Sequence, residues 1–490
     1  MMPLLPSLLT AAFLAQAPVE DAPVAESSHS LEVTTTGYLD SRFTYARILS
    51  ERMLPGEGQP ALTNLTEGNL QLKLRFTPEA FLNTDVSLFW QRAGLIEGVE
   101  RDLPEYRPSI VVSELYGDWA LTPHLSLTVG KKRVVWGAGL AQNPTDFLNP
   151  PKDPTDPASQ RAGAWLARVE MPFDRFTFSL VGAARVLRQY AGLPTALLVY
   201  PDQPTSEAQQ GLVADDRDDE AHYAVAARAY ALVADTDLNL VYAFTHLYND
   251  AFAHKHRLGA SVSHVFGGLE VHGEALLQTG STRLELEPAC TGNADALADC
   301  VARNVALASR PRLHDGRLRP QVLLGARYLF EDSAMLSAEY AFHADGLDST
   351  GFARYVETLA AAGELARANP ALAGSIAGVL GGAGASSDPG TPQRYSFDPL
   401  RRHYLFVSYS KPQIHDDFTA GASLVLSLGD FSGQLSPSLS WSARDWLTLT
   451  AAAYIPLPVL NGVEVGSRTY GELALSSTDW RALMSARAFF

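Results

Sequence analysis

The strongest constraint on this sequence is an alternation of apolar and polar residues with a period of two, repeated along most of the chain. In residues 69–76 (NLQLKLRF), leucine and phenylalanine alternate with glutamine, lysine and arginine, and the pattern recurs in 269–278 (LEVHGEALLQ). Strands of this kind have one apolar and one polar face. After the N-terminus, no apolar run reaches the roughly 20 residues that a membrane-spanning helix needs. The sequence therefore predicts an all-β fold of many two-faced strands.

Short and long connections alternate between the predicted strands. The short ones are turns such as 121–123 and 266–268, whereas the long ones are rich in Pro, Gly and Asp. The long connections cover 46–65, 93–109, 136–159, 186–219, 279–316, 343–400 and 455–479. Transmembrane barrels have short periplasmic turns and long extracellular loops. We therefore predict a transmembrane antiparallel β-barrel of about 18 strands, the first near 31–45 and the last at 479–490.

The segment 470–475 decides the parity of this barrel. It has the composition of a further strand, but counting it would place the C-terminus outside the cell. We assign it to the last loop, so that the number of strands is even and both termini lie on the periplasmic side.

A soluble β-sandwich or β-helix is the main structural alternative, since both also alternate. In this sequence the outward face would be Leu, Val, Ala and aromatic residues on nearly every strand, which water does not tolerate without a second layer. Aromatic residues also cluster near the predicted strand ends, where a membrane barrel has its interfacial girdles, although ordinary core aromatics could give the same distribution.

The N-terminus has the features of a secretory signal. Residues 4–14 are mainly apolar and are followed by Ala15-Gln16-Ala17, an A-x-A cleavage pattern. We therefore predict a signal peptide at 1–17, a flexible periplasmic tail at 18–30 and the barrel at 31–490. A buried N-terminal helix is the alternative for the first segment.

Two loops contain further features. Residues 352–374 have helical spacing and are followed by a Gly-rich hinge at 379–387, so we predict a short helix in the longest extracellular loop. This helix could constrict the lumen, cap its mouth or lie on the surface without a role in permeation. Cys290 and Cys300 are predicted to form a disulfide, because export leads to an oxidising compartment. Zinc is less consistent with the sequence, which has no further Cys or His at ligand spacing nearby.

The charge and the motifs exclude several functions. A net charge of −16 argues against nucleic acid as a partner. The sequence contains no Gly-x-Ser-x-Gly elbow, His-Glu-x-x-His zinc site or phosphate-binding loop. We therefore predict no enzymatic activity, no metal site and no cofactor.

The polar faces of the strands are expected to line the lumen. The predicted inward bases are Arg42, Lys73, Arg75, Arg168, Arg228, Arg327, Arg481 and Arg487. The predicted inward acids are Asp40, Glu114, Asp118, Glu170, Glu270, Glu274 and Glu339. Such charges could sort solutes by their sign, or they could form pairs that brace neighbouring strands. Because both signs occur, the sequence does not indicate a charge selectivity.

The densest motif lies in 131–157, directly after a predicted strand. Its glycines allow sharp turns at the rim, and its Asn-Pro pairs restrict the backbone, so we predict an ordered loop. The motif resembles a group of large porin-like Gram-negative barrels with the pattern Arg-x-x-Trp-Gly-x-Gly, Asn-Pro-x-Asp and Asn-Pro. The matching residues are Arg133, Trp136, Gly137, Gly139, Asn143, Pro144, Asp146, Asn149 and Pro150. The resemblance implies a solute-conducting barrel in which this loop is packed inward as a constriction or rim.

The last predicted strand places Trp480, Met484 and Phe490 on one face and Arg481 and Arg487 on the other. It resembles the final strand of bacterial outer-membrane barrels, which the barrel-assembly machinery reads. The resemblance implies that Phe490 is an assembly signal, and that outer-membrane lipid and lipopolysaccharide surround the protein.

Two functions remain open at this point. The charged lumen and the ordered loop favour an outer-membrane porin-like channel for diffusion or selective uptake of small solutes. The long loop 343–400 and the loop 279–316, which contains Cys290 and Cys300 and is called the cysteine loop below, favour a non-conducting barrel that binds partners at the surface or in assembly.

Overall fold

Eighteen strands pair in one antiparallel sheet that closes on itself in the computed structural model, as the sequence predicts. The structure describes residues 31–48, 62–93, 107–149, 163–186, 222–246, 254–281, 285–291, 294–303, 308–309, 316–369, 400–415, 417–475 and 478–490. The first half of the wall consists of β1 (Glu32–Ile48), β2 (Leu62–Thr77), β3 (Ala80–Ala93), β4 (Arg107–Thr122), β5 (Leu125–Lys132), β6 (Ala164–Pro172), β7 (Phe176–Val186), β8 (His222–Val233) and β9 (Thr236–His246). The second half consists of β10 (His254–Phe266), β11 (Leu269–Thr279), β14 (Leu318–Leu329), β15 (Met335–His343), β16 (His403–Ile414), β17 (Phe418–Ser427), β18 (Gly433–Arg444), β19 (Leu447–Leu457) and β22 (Thr478–Phe489).

Four short strands of the described residues lie outside the barrel wall, in its loops. They form two small hairpins, β12 (Glu285–Leu286) with β13 (Ala308–Ser309) and β20 (Val463–Val465) with β21 (Arg468–Tyr470). Because β19 pairs directly with β22, the whole of the last loop is excluded from the wall. The assignment of 470–475 to a loop is therefore confirmed: it contains the end of β21 and a 3-10 turn at Glu472–Ala474.

The barrel closes where its first strand meets its last. Asp40 on β1 lies opposite Glu67 on β2 and Arg487 on β22. At the end of this seam, the N–H groups of Gly37 and Phe490 donate to each other's carbonyl oxygens at 3.0 Å. A Cβ atom on Gly37 would lie 2.5 Å from the carbonyl oxygen of Asn69 and 2.6 Å from Cζ of Phe490, so a side chain here would press on the neighbouring strand and on the terminal ring. The seam therefore depends on both residues.

The two faces of the wall have opposite environments. Leu39 is 49% exposed and the next residue, Asp40, is fully buried; Leu180 is 52% exposed and Val181 is fully buried. The outer surface is thus a continuous apolar belt, which a lipid bilayer solvates and water does not. In a closed barrel the backbone polar groups of the wall pair between neighbouring strands, which is the condition for crossing a membrane with strands. None of the described helices is both long and apolar enough to span a membrane.

Among the described residues, two helices lie in the long loops, α1 (Ala294–Ala302) and α2 (Ser349–Ala368). The predicted helix 352–374 corresponds to α2, which begins three residues earlier because the Asp348 side chain caps it by accepting from Gly351 N–H at 2.8 Å. Helix α1 was not predicted. The predicted hinge at 379–387, the signal peptide 1–17 and the tail 18–30 lie outside the described residues, and they stay predictions.

Candidate pore constriction

Residues 133–149, which follow β5, fold into the barrel instead of staying at its rim. Trp136 is 1% exposed and, with Phe147 and Leu148, packs in one apolar cluster against Val181 and Val241 on the inner wall. We call this segment the inserted loop. Gly137 has a φ of +90°, and a Cβ there would lie 2.5 Å from both Glu274 Oε1 and Thr145 Oγ1. The glycine is therefore required by the turn and by the close approach to the wall.

Glu274 on β11 holds the inserted loop from across the lumen. Its Oε1 accepts the N–H groups of Ala138 at 2.6 Å and Gly139 at 2.7 Å. Its Oε2 accepts from Thr145, at 3.2 Å from the backbone nitrogen and 2.8 Å from the hydroxyl. Charge-assisted bonds to backbone donors of this kind are strong, and they satisfy three N–H groups of this buried turn.

Glu339 on β15 provides the second anchor. Its two oxygens accept the N–H groups of Leu140 at 2.5 Å and Ala141 at 2.8 Å. Oε1 of Glu339 also lies 2.9 Å from Nε2 of His272, a buried histidine on β11. Together, Glu274 and Glu339 fix the inserted loop to the wall opposite its origin at β5, so the loop crosses the lumen.

The polar residues of the motif hold the inserted loop in shape. Asn149 Nδ2 donates to Val134 O and to Asp146 Oδ1, both at 2.5 Å, while Asn149 Oδ1 accepts from Val134 N–H at 3.2 Å. Asn143 Nδ2 donates to Trp136 O at 3.2 Å. At the start of the loop, Arg133 N–H donates to Glu114 Oε1 at 2.9 Å. These bonds make the loop an ordered element, and Pro150 lies just beyond the described part of it.

A second segment of the chain also enters the mouth of the barrel. In the last loop, Leu473 packs against an inner-wall cluster that includes Tyr404 and Val425 together with Ala141 of the inserted loop. The neighbouring Glu472 is 8% exposed. The sequence assigns this segment to a loop but does not indicate that it turns inward, because the tertiary contacts that bury it lie far away along the chain.

The strand registers place all the predicted lumen-lining charges on the inner face. These residues are Asp40, Arg42, Lys73, Arg75, Glu114, Asp118, Arg168, Glu170, Arg228, Glu270, Glu274, Arg327, Glu339, Arg481 and Arg487. They are not equivalent. Glu274 and Glu339 anchor the inserted loop, whereas six of the others belong to two clusters on the wall.

The first wall cluster lies at the seam of the barrel. Asp40 Oδ2 accepts from Arg42 Nε at 2.7 Å and from Arg487 Nη2 at 2.8 Å. Glu67 accepts from Tyr38 OH at 2.9 Å and from Arg42 Nη2 at 3.3 Å. The side chains of both acids are 1% exposed, whereas those of Arg42 and Arg487 are 30% and 36% exposed. The wall therefore presents the bases to the lumen and buries the acids beneath them.

A second cluster lies on β4, β5 and β6. Lys132 Nζ is 2.9 Å from Asp118 Oδ2 and 4.2 Å from the centre of the Tyr116 ring. Arg168 Nη1 is 3.2 Å from Glu170 Oε2. Ion pairs at this partial exposure contribute modestly to stability, so their main effect is to fix where the charges stand in the lumen.

The remaining predicted bases stand apart from one another. Arg327 pairs with Glu270, and Arg75 with Glu32 at 3.4 Å. The other three bases lie against polar or aromatic side chains: Arg228 donates to Asn239, Arg481 lies over Tyr454 and Lys73 lies over Phe81.

Several residues of the site were missed from the sequence. Asn69 opens the alternation quoted for residues 69–76, and extending its polar face two residues upstream includes Glu67, so the signal was present for both; β2 begins at Leu62. Lys132 is the fourth inward position of the alternation that begins at Leu125, so the same signal was present for it. No local signal marks His272 or Glu472, because their partners come from distant segments.

The cysteine loop lies next to the longest loop. The sulfur atoms of Cys290 and Cys300 are bonded to each other, and both residues are 1% exposed. Helix α1, which carries Cys300, packs against α2, and α2 also contacts β20 in the last loop. Phe352 and Val356 on α2 are fully buried. The described parts of three long loops thus form one packed layer.

Comparisons with known proteins identify barrels of similar extent. No family model and no curated protein matches the chain. Among solved structures, OccAB3 of Acinetobacter baumannii is 10% identical, with a TM-score of 0.46 over 93% of this chain and 99% of that one. OpdK of Pseudomonas aeruginosa with vanillate is 9% identical, with a TM-score of 0.47 over 94% and 98%. OccK2 (OpdF) of Pseudomonas aeruginosa with glucuronate is 10% identical, with a TM-score of 0.46 over 94% and 98%.

Proposed function

We propose that this protein is a bacterial outer-membrane channel for diffusion or selective uptake of small solutes. The observation that carries the proposal is the inserted loop, held across the lumen by Glu274 and Glu339. A barrel that serves only as a surface scaffold gains nothing from an ordered loop inside its lumen. A channel does, because such a loop sets the width of the path and places charges beside it.

The charge arrangement at the seam supports anion preference there. Arg42 and Arg487 are partly exposed to the lumen, while the carboxylates of Asp40 and Glu67 are buried beneath them. A solute passing this wall meets positive groups first, and the field inside a narrow lumen is screened less than at an open surface. We therefore propose that the lumen near the seam attracts small anions.

Reconstitution in planar lipid bilayers tests the proposed function. Folding of the purified protein is checked by electrophoresis, in which a folded barrel migrates differently before and after heating. The folded protein should then give discrete conductance steps in KCl. Liposomes containing it should swell in small sugars and in vanillate or glucuronate, the compounds present in two of the compared barrels. Well-folded protein that produces neither steps nor swelling would overturn the proposal.

A non-conducting surface or assembly protein is the second candidate. It is favoured by the packed layer of α1, α2 and the disulfide loop at the mouth of the barrel. A deletion strain with unchanged solute permeability, together with a captured partner of defined identity, would support it. The proposed surroundings are the same in both cases: outer-membrane lipid, lipopolysaccharide and the barrel-assembly machinery, with Phe490 as the assembly signal.

A further inference from the structure

The carboxyl group of Glu472 ties the last loop into the mouth of the barrel. Its Oε1 accepts from Leu400 N–H and from the hydroxyl of Tyr404, both at 2.6 Å. Its own N–H donates to Asp430 Oδ2 at 2.9 Å, and the next residue, Leu473, donates its N–H to Ser432 Oγ at 3.0 Å. The side chain of Glu472 thus links the last loop to Leu400 and β16, and the backbone of residues 472 and 473 links it to the loop between β17 and β18.

The surroundings of this carboxyl group favour its neutral form. Its second oxygen, Oε2, is buried and has no hydrogen-bond partner among the described residues. The carboxylate of Asp430 lies beside it, and none of the described bases forms an ion pair with Glu472. An ionised carboxylate in such a place loses its hydration without receiving a compensating charge. Burial accordingly raises the pKa of Glu472 to about 7, with the charge of Asp430 acting in the same direction and the hydrogen bonds from Tyr404 and Leu400 opposing it.

The other charged and titratable groups around Glu472 do not reverse this balance. On α2, Tyr355 faces Glu472, and burial together with the charge of Glu472 raises its pKa to about 12, so it stays neutral. Arg401 lies over the ring of Phe352 and donates to Ser349. On β15, His343 contacts the Tyr404 ring and lies 2.7 Å from Gln142 of the inserted loop.

The last loop contacts the inserted loop and therefore affects the width of the constriction. Leu473 packs on the cluster that contains Ala141, a residue of the inserted loop. The two segments therefore meet, and release of the last loop would remove one side of the constriction. Because Tyr404 contacts both Glu472 and His343, the same wall position supports both segments.

We infer that Glu472 is a proton-dependent anchor of the last loop: with its carboxyl group neutral the loop stays in the mouth, and with it ionised the loop leaves and the channel conducts more. This inference rests on the proposed function. The raised pKa means that the anchoring is complete below the ordinary value of 4.5 and is lost as the pH rises through about 7. Between these values, the ratio of docked to released loop should fall by about ten-fold per pH unit.

The experiment compares three forms of the protein in planar bilayers at pH 5, 6, 7 and 8. In the wild type, the time spent in a larger conductance state should increase between pH 5 and pH 8. Glu472→Gln keeps the volume and one carbonyl acceptor but cannot ionise, so it should remain in the smaller state at every pH. Asp332→Asn is the control, because this exposed acid in the turn between β14 and β15 pairs with Lys411 far from the mouth, and it should keep the wild-type pH step.

A second measurement follows the loop itself. Trypsin cleavage after Arg468, detected by mass spectrometry, should increase with pH in the wild type relative to Glu472→Gln at the same pH. A conducting wild type without a pH step, or a Glu472→Gln variant that retains the step, would overturn the anchor and leave the channel standing. Absence of conductance at every pH would overturn the channel, and cleavage that does not distinguish the two forms would then overturn the anchor as well.

Discussion

Glu274→Gln should loosen the inserted loop without unfolding the barrel. Glutamine keeps one oxygen for the N–H groups of Ala138 and Gly139, but its amide nitrogen cannot accept the two bonds from Thr145. Hydrogen bonds to a charged group contribute roughly 1.5–3 kcal/mol, neutral ones nearer 1. At the lower end of this range, two lost bonds and two weakened ones sum to about 4 kcal/mol, which corresponds to a change of about a thousand-fold in the docked population.

Single-channel recording is the assay for this change. Wild-type protein should give quiet steps, whereas Glu274→Gln should flicker between the original level and a larger one. The double variant Glu274→Gln and Glu339→Gln, which weakens both anchors, should spend most of its time at the larger level and admit larger sugars in liposome swelling. Glu170→Gln is the matched control, because Glu170 pairs with Arg168 on the wall and makes no described contact with the loop.

The barrel itself should be unaffected, because its 18 strands remain paired through backbone hydrogen bonds. Electrophoretic mobility without heating and far-UV circular dichroism would verify this. If both variants fold and their conductance, noise and size limit equal those of the wild type, Glu274 and Glu339 do not hold a constriction, and the interpretation of the inserted loop is wrong.

Three further predictions concern other parts of the chain. Gly37→Val should displace the ring of Phe490 from the seam, and it should lower the yield of folded barrel in the outer membrane at least as much as Phe490→Ala. Replacing Cys290 and Cys300 by serine should destabilise the loop they close by roughly 3 kcal/mol in the chain-entropy estimate, seen as faster proteolysis of α1 with unchanged conductance. Arg487→Ala should shift the reversal potential in a KCl gradient towards cation preference, because it removes a base from the lumen and leaves Asp40 with less compensation.

Each of these predictions has a result that contradicts it. A normal yield of folded Gly37→Val barrel would mean that the seam accommodates a side chain. Equal proteolysis of the oxidised and serine forms would show that the disulfide does not stabilise α1. For Arg487→Ala, the control is Arg303→Ala on the exposed end of the cysteine loop; equal shifts in both variants would indicate a general charge effect instead of a lumen effect.

The alternation of the sequence determined the fold to a large extent. A period of two fixes which residues share a face, so the inward positions of Arg42, Glu170 and Arg327 follow from each strand alone. Alternating short and long connections determined the strand number and the parity, and with it the assignment of 470–475 to a loop. These properties are local, because they can be predicted from the sequence of each strand and turn without knowledge of its neighbours in space.

Only the tertiary structure decided what the inward residues do. The sequence places Glu274 and Glu339 among many lumen charges, and nothing local distinguishes them from Glu170. Their role arises because a loop more than a hundred residues away in sequence brings five backbone N–H groups to them. The sequence did not predict the inward turn of the last loop at Glu472 either, because its hydrogen-bond partners are also distant along the chain. Hydrogen bonds between distant segments depend on how the barrel closes, and the alternation pattern carries no information on them.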